Sequence, residues 1–504
     1  MPTLATLGLG DLPHEGPAPD MEATITGLCV DSRETKPGYL FAALKGTTLD
    51  GAEFAQYAVR MGAGAVLCSA EGAETAARDI GPLPIPFLIS DNPRHDLALA
   101  ASRFYPGQPD VMVAITGTNG KTSVASFARQ LFVALGHRAA NFGTVGVEGA
   151  VSKPLTMTTP EPITLHRLLD ELQGEGVTHA AMEASSHGLA QARLDGVRLR
   201  AGAFTNFSRD HLEYHATVDD YLDAKLRLFR DLLPRNAVAV LNADDATYGK
   251  TWAAARDAGL EVIPLGRDAA ASTGLRLIDA RFDKRGQELL MQWHGKDVTT
   301  RLDLIGGFQG LNAMTAAALV IGTGEAPNEV FAAMAKLTGV RGRMEHVATR
   351  ANGAAIYVDY SHTPDGLATA LAALRLHTEG RLLVVFGAGG DRDPGKRPMM
   401  GHAACEGADG VIVTDDNPRT EDPALIRKAV MAACPTSIEI GDRAEAILTG
   451  VDALSPQDCL LIAGKGHETG QIVGTDVIPF DDAEQARAAV VALDGEGFGG
   501  TETQ

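Results

Sequence analysis

The stretch VMVAITGTNGKTSVASFARQLFVAL, Val111–Leu135, constrains the fold more than any other part of the chain. A β-branched apolar run, Val111–Ile115, leads into Thr116, Gly117, Thr118, Asn119, Gly120, Lys121 and Thr122. Val124, Phe127, Ala128, Leu131, Phe132 and Leu135 then recur at three- and four-residue spacing, which predicts a helix. Gly136 is placed to stop it. Strand, glycine turn and helix in this order make a phosphate-binding loop. Glycines let the backbone approach phosphate, the helix N-terminus presents N–H groups, and Lys121 adds a positive charge. Thr122 is placed to offer its hydroxyl to magnesium. The strict G-x-x-x-x-G-K-[ST] pattern is not met, because Ile115 stands at the first glycine position.

The chain is 504 residues long, which predicts two to four domains. Hydrophobic content of 45% and charged content of 21% are those of a soluble globular protein. A net charge of −20 argues against a general nucleic-acid or anionic-membrane binder. An anionic substrate needs only a local positive pocket. Cys29, Cys68, Cys405, Cys434 and Cys459 form no C-x-x-C, so their spacing indicates neither a zinc site nor a disulfide framework. No signal peptide or long apolar span is visible, so a reducing, cytoplasmic setting is expected.

Residues 1 to about 93 read as a small α/β unit. Strands are predicted at Ile25–Val30, Tyr39–Leu44, Ala65–Cys68 and Phe87–Ser90, with a helix at Phe54–Met61. The middle third adds three polar clusters: Thr156–Pro160, then Glu183-Ala184-Ser185-Ser186-His187-Gly188-Leu189, then Asn206-Phe207-Ser208-Arg209-Asp210-His211-Leu212. In an α/β sheet, ligands gather beyond the carboxyl ends of strands. Adjacent Ser186 and His187 without G-x-S-x-G make a poor hydrolase signature.

Thr217-Val218-Asp219-Asp220 predicts a capping box that opens a helix. At ~100° per residue, Tyr221, Leu222, Leu226, Phe229, Leu232 and Leu233 form one apolar stripe, and Lys225 falls inside it. Burying an unpaired ammonium is costly. Either Lys225 snorkels to the surface, or burial makes it neutral and reactive, or it is chemically modified. A second glycine loop and helix, Gly306–Ile321, carries Asn312 near its start. From Arg341 onward, four apolar strands each run into a polar turn: Ala355–Asp359, Leu382–Phe386, Val411–Thr414 and Leu460–Ala463. Continuous apolar strands alternating with helices predict a parallel, doubly wound sheet whose polar turns converge on one crevice.

In order, TGTNGKT, TTP, EASSHGL, NFSRDHL, the lysine in the next helix, GRME, DYSHTPD, GAGGDRDPGKR, DNPR and GKGHE resemble the Mur ligases. The resemblance runs from Asp31-Ser32-Arg33 to Glu468. It implies three α/β domains: a small N-terminal one at 1–93 for a UDP-MurNAc substrate, a central P-loop-type ATPase domain with a mostly parallel sheet at 94–340, and a C-terminal Rossmann-like domain at 341–504 for an amino acid. It implies an ATP- and magnesium-dependent amide ligase of peptidoglycan synthesis, which works through an acyl phosphate. The acceptor would be UDP-N-acetylmuramoyl-L-alanyl-D-glutamate. DNPR marks the members that add meso-diaminopimelate, whose far carboxylate Arg419 can pair bidentately. A monomer is expected, with no nucleic acid and no membrane insertion among its partners.

The same resemblance distributes roles. Gly117, Thr118, Asn119, Gly120, Lys121, Thr122, Ser123, Asn312, Arg343 and Asp359 would hold ATP. Thr122, Glu183 and His211 would hold magnesium, and Lys121, Glu183, His211 and Lys225 would be catalytic, with Lys225 carbamylated. Val30, Ser32, Thr47, Thr48, Leu49, Thr158, Thr159, Ser185, Gln191 and Arg193 would bind the nucleotide sugar. Arg392, Asp416, Asn417, Pro418, Arg419, Gly464 and Glu468 would bind diaminopimelate. Met157 stands where an asparagine is common, and Ser123 where a second threonine is. Rival readings are a folate polyglutamate ligase, a P-loop switch ATPase, and a UDP-sugar binding module without catalysis.

Overall fold

A computed structural model of the chain describes residues 1–46, 49–211, 214–270 and 272–495. The expected substrate positions Thr47 and Thr48 lie outside the described residues. Three large sheets follow one another along the chain, each with most of its strands parallel. In the first, the order is His14–Glu15, Phe87–Ile89, Ala65–Cys68, Tyr39–Ala42 and Gly27–Cys29, and only His14–Glu15 runs antiparallel. The helix Pro93–Phe104 adds Leu97, Ala100 and Ala101 to the core made by Leu28, Leu40, Leu67 and Leu88.

The central sheet has ten strands. Its phosphate-loop strand, Val111–Thr116, lies between Ala201–Phe204 and His179–Glu183, parallel to both. The turns that follow all three strands therefore open on one edge. Helix Lys121–Ala134 buries Val124, Phe127, Leu131 and Phe132 with Met314, Leu319 and Val320 of helix Gly307–Gly322 on one face of the sheet. On the other face, Leu165, Leu169 and Leu172 of helix Pro162–Gly174 pack with Leu222 and Leu226 of helix Val218–Arg227. The sequence pattern runs this last helix through Leu233. In the structure the α-helix ends at Arg227 and a wider π-turn, Leu228–Leu232, closes it ahead of Pro234. At its start the Thr217 hydroxyl accepts the Asp220 N–H at 3.1 Å, so the predicted cap is present.

An antiparallel meander, Leu275–Asp283, Gly286–Trp293 and Lys296–Leu302, extends the far edge of this sheet. The third sheet has the order Glu345–Thr349, Ala355–Asp359, Cys459–Ala463, Leu382–Phe386, Gly410–Val413 and Ile438–Glu439, with only Glu345–Thr349 antiparallel. One of its faces is covered by Leu367, Leu371 and Leu374, the other by Ile447, Val451, Ala486 and Val490. The expected doubly wound arrangement is what forms. Among the described residues, no helix is long and apolar enough to cross a membrane.

His166 is buried on helix Pro162–Gly174, with Nε2 3.0 Å from the Asp195 carbonyl. Burial pushes its pKa from the ordinary 6.5 to about 4. The unfolded chain then takes up this proton first, so stability is complete above pH 6.5 and declines as the pH falls towards 4. A shift of this size is worth about 3 kcal/mol at most. Denaturant midpoints measured from pH 7 down to 4 are expected to fall less steeply in His166→Gln than in wild type. Identical slopes would remove His166 from the account.

Candidate active site

The phosphate loop owes its shape to two glycines. Gly117 has φ 140° and Gly120 has φ 85°, values L side chains rarely adopt. A Cβ would stand 2.0 Å from Thr205 Oγ1 at the first position and 2.5 Å from Asn312 Oδ1 at the second. The loop is braced from the end of the neighbouring strand. Asn206 Oδ1 accepts the Asn119 N–H at 2.9 Å, the Asn206 carbonyl accepts the Thr118 N–H at 2.9 Å, and the Thr205 hydroxyl donates to the Asn119 carbonyl at 2.6 Å. Lys121 Nζ donates to the carbonyls of Gly117 at 3.0 Å and Thr118 at 2.8 Å, and burial lowers its pKa. Thr122 and Ser123 are buried beneath the loop.

Lys225 does not snorkel. It is 1% exposed, its Nζ donates to the Gly117 carbonyl at 2.7 Å, and it lies 4.4 Å over the Tyr221 ring. Burial first, then the neighbouring Lys121 charge, hold its pKa well below the ordinary lysine value. The helix thus delivers a buried amine, its pKa depressed, directly beneath the phosphate loop.

Glu183 ends its strand 2% exposed and accepts the Thr144 N–H at 2.7 Å and the Thr144 hydroxyl at 3.2 Å. The Thr144 and Thr158 hydroxyls are 3.0 Å apart. Thr159 donates its hydroxyl to the Glu183 carbonyl and accepts from the Ser185 N–H and hydroxyl, each at 3.0 Å. Arg193 Nη1 donates to the Thr159 carbonyl at 2.6 Å and lies 3.1 Å from Met157 Sδ, while Nη2 donates to Gln191 Oε1 at 2.8 Å. Thr144, the Thr156–Pro160 turn, the Glu183–Leu189 cluster and Arg193 are therefore one hydrogen-bonded wall. Met157, whose thioether is a weak acceptor, rests against the arginine of that wall.

Asp210 Oδ1 accepts the His211 N–H at 2.9 Å and pairs with Lys396 Nζ at 3.3 Å. Burial works to raise the Asp210 pKa, but His211 and Lys396 outweigh it and hold the carboxyl below its usual range. His211 itself sits at φ 53°.

The third sheet closes the crevice. Arg343 Nη2 donates to Thr122 Oγ1 at 3.2 Å, and its guanidinium stacks 4.5 Å over the Tyr360 ring. Gln309 joins Asn312 to this arginine, accepting from Asn312 Nδ2 at 2.9 Å and donating to the Arg343 carbonyl at 3.2 Å. Asp359 accepts the Met344 N–H at 2.7 Å and the Ser361 N–H at 2.9 Å, so a ribose hydroxyl would share its oxygens with the protein's own donors. A cavity of about 720 Å³ is lined by the loop from Thr118 to Ser123 with Thr158, Thr159, Glu183, Ser185, Arg193, Asp210, His211, Lys225, Asn312, Arg343 and Asp359.

The other polar turns gather beside this cavity rather than inside it. Asp416, Asn417 and Glu468 surround Lys465, which is fully buried, with Nζ at 3.6, 3.0 and 3.2 Å respectively. Gly464 lies beside the Asp416 carboxylate at φ 117°, a backbone conformation that L side chains rarely adopt. After Pro418, Arg419 is half-buried at φ 51°, with Nη1 donating to the Gly390 carbonyl at 2.8 Å. Arg392 is exposed on the adjoining loop. His467 stacks 5.1 Å from Tyr360, which joins this cluster to the cavity, and burial with Arg343 lowers its pKa to about 4.

In the first sheet, buried Ser32 follows the Asp31 cap, and Val30 and Leu49 are exposed at 36% and 58%. Arg94 donates to the Lys45 carbonyl at 2.7 Å, and after burial its charge is the next cause that lowers the Arg193 pKa. The first sheet thus faces the Thr159–Arg193 wall. Sequence reasoning did not single out Thr144, Lys396 or Lys465. Of these, Lys396 lay inside GAGGDRDPGKR and Lys465 inside GKGHE, while Thr144 had no local signal.

Three family models match in chain order: Mur ligase family, catalytic domain, over residues 24–105; Mur ligase middle domain over 115–320; and Mur ligase, glutamate ligase domain over 342–466. The chain is 52% identical over 473 residues to the UDP-N-acetylmuramoyl-L-alanyl-D-glutamate--2,6-diaminopimelate ligase of Bradyrhizobium diazoefficiens, covering 93% of this chain and 95% of that protein. It is 50% identical to the protein of the same name from Brucella melitensis biotype 1, covering 94% and 95%. A solved structure of a UDP-N-acetylmuramoyl-L-alanyl-D-glutamate--2,6-diaminopimelate ligase superposes with a TM-score of 0.70 at 31% identity, over 97% of this chain and 99% of the other. With the phosphate loop, the buried lysine and these matches across nearly its full length, the chain belongs to the Mur ligase family.

Proposed function

We propose that this chain is the ATP-dependent ligase that joins meso-2,6-diaminopimelate to the D-glutamate of UDP-N-acetylmuramoyl-L-alanyl-D-glutamate in peptidoglycan synthesis. The observation that carries the reading is the buried amine of Lys225, 2.7 Å from the phosphate-loop carbonyl of Gly117, in a crevice that a DNPR cluster adjoins. Gly117–Ser123 receive the phosphates of ATP, Lys121 supplies charge to them, and Asn312, Arg343 and Asp359 take the nucleoside end. Residues 1–93, 94–340 and 341–504 act as three units of a cytoplasmic monomer.

The donor set also fits magnesium. Glu183 and Thr122 offer hard oxygens, and among the described residues Glu183 has hydrogen-bond donors from Thr144 but no cation in salt-bridge contact. His211 completes the set. When bound, the ion neutralises charge between triphosphate and substrate carboxylate. Lys225 fits carbamylation because its amine is buried and its pKa is held well below the ordinary lysine value, and the resulting carboxylate would lie in the cavity that Glu183 and His211 also line. The nucleotide sugar spans Val30, Ser32, Thr47, Thr48 and Leu49 to Thr158, Thr159, Ser185, Gln191 and Arg193.

A D-glutamate carboxylate oxygen attacks the terminal phosphorus of ATP, the bond to the β-phosphate oxygen breaks, ADP leaves and an acyl phosphate forms. The diaminopimelate amine then attacks that carbonyl and phosphate leaves. Arg392, Asp416, Asn417, Pro418, Arg419, Gly464 and Glu468 orient the amine, with Lys465 holding Asp416, Asn417 and Glu468 in register.

Phosphate release with the dipeptide substrate, ATP and magnesium tests this. Release is expected only when diaminopimelate is also present, with lysine supporting it at least about a hundredfold less well. Hydrolysis that ignores the acceptor would indicate a switch ATPase, and equal use of lysine would overturn the assigned amino acid.

A further inference from the structure

We propose that His137, His179 and Glu325 form a binding site for a divalent transition metal of the zinc class, at the edge of the central sheet opposite the phosphate loop. Their ligand atoms all lie within 4.8 Å of one another. His137 Nε2 is 2.8 Å from Glu325 Oε1, and the two imidazoles stack with centroids 3.8 Å apart. Two imidazoles and one carboxylate are a donor set suited to zinc, cobalt or nickel, and unlike the hard-oxygen set in the crevice.

The neighbours of His179 accommodate the tautomer that a metal needs. Its Nδ1 lies 2.9 Å from Thr178 Oγ1, and that hydroxyl donates to the Arg138 carbonyl at 3.3 Å. With the hydroxyl hydrogen on that carbonyl, an Nδ1–H can donate to Thr178 Oγ1, the arrangement that leaves the Nε2 lone pair for a metal. This is how a second-layer bond prepares a histidine for a metal. A cation entering between His137 and Glu325 takes the place of the hydrogen they share. The His137 side chain is 29% exposed, so it has room to tilt out of the stack and access from solvent. Phe132 walls the other side, its ring 4.7 Å from that of His179.

The position gives the site a purpose. His137 follows helix Lys121–Ala134, Glu325 follows helix Gly307–Gly322, and His179 begins strand His179–Glu183. Further along the same elements, towards the nucleotide site, stand Lys121, Asn312 and Glu183. A metal here would clip together, roughly 13–24 Å away along the strand and the two helices, the three elements that hold the nucleotide site.

The test uses the full chain saturated with ADP and excess magnesium, titrated with Co2+ and with Zn2+ and followed by visible absorption and calorimetry. One equivalent is expected to bind and to raise the melting temperature. His137→Ala and Glu325→Gln, each checked for folding by circular dichroism, are expected to weaken binding at least about tenfold. Their ligation rates with magnesium present and no transition metal added should equal wild type. No binding to wild type, or equal binding to both variants, would overturn the site and leave His137–Glu325 as an ion pair between helix ends.

Discussion

Replacing Lys225 with alanine is expected to abolish ligation almost completely while leaving the chain folded. The side chain is fully buried and its amine touches the phosphate-loop backbone, so no other residue can take its place. Groups that stabilise developing charge in a dry site are commonly worth about 10²–10³ in kcat, and a carboxylated Lys225 would help position both the ion and the transferred phosphoryl group. Stability should hold or rise, because an amine held far below its ordinary pKa is a cost of folding rather than a gain. Short-chain carboxylic acids added to Lys225→Ala should restore part of the rate by supplying the missing anion. Full activity of the variant with no added acid would refute the carbamate role.

Replacing Arg419 with alanine should raise the KM for diaminopimelate steeply and leave that for ATP nearly unchanged. Losing one partner of a buried charge pair costs about 2–5 kcal/mol, which corresponds to a rise of roughly 30-fold or more. Among the described residues, Nη1 is occupied by Gly390 and Asn417 carbonyls, and the rest of the guanidinium has no protein acceptor. The backbone at φ 51° is held by bonds to Ile472 and Gly474, and alanine bears that strain as arginine does. The effect should therefore read on the amino acid rather than on the fold. Arg419→Lys should not restore affinity, since a point charge cannot reproduce the fork. Initial rates against each substrate decide the matter, and equal loss for ATP and diaminopimelate would count against the role.

The parts of the fold legible in the sequence are those with uninterrupted patterns. Strands Ala65–Cys68, Ala355–Asp359 and Leu382–Phe386 are continuous apolar runs between turns and form as read. Lys225 was legible because a helical wheel exposes one charge on an apolar stripe. The meander Leu275–Leu302 was not, because charged residues fill its wet face and its burial pattern is irregular. The π-turn after Arg227 keeps helical spacing closely enough to hide the change. Contacts such as Lys396 with Asp210, 186 positions apart, and Arg343 with Thr122, 221 apart, depend on how the sheets meet. No spacing rule reaches them. The roles of individual site residues came from family resemblance, and Lys465 escaped because its importance lies in the three side chains it gathers.

The grip of Thr205 and Asn206 on the GTNG turn bears on how a nucleotide is greeted. Freezing a backbone residue costs about 1–2 kcal/mol. Here that ordering is completed once, when the neighbouring strands assemble, and is not repeated at each arrival of a triphosphate. An incoming nucleotide meets a mould that has already set, so its affinity is spared the penalty of shaping the loop on every turnover.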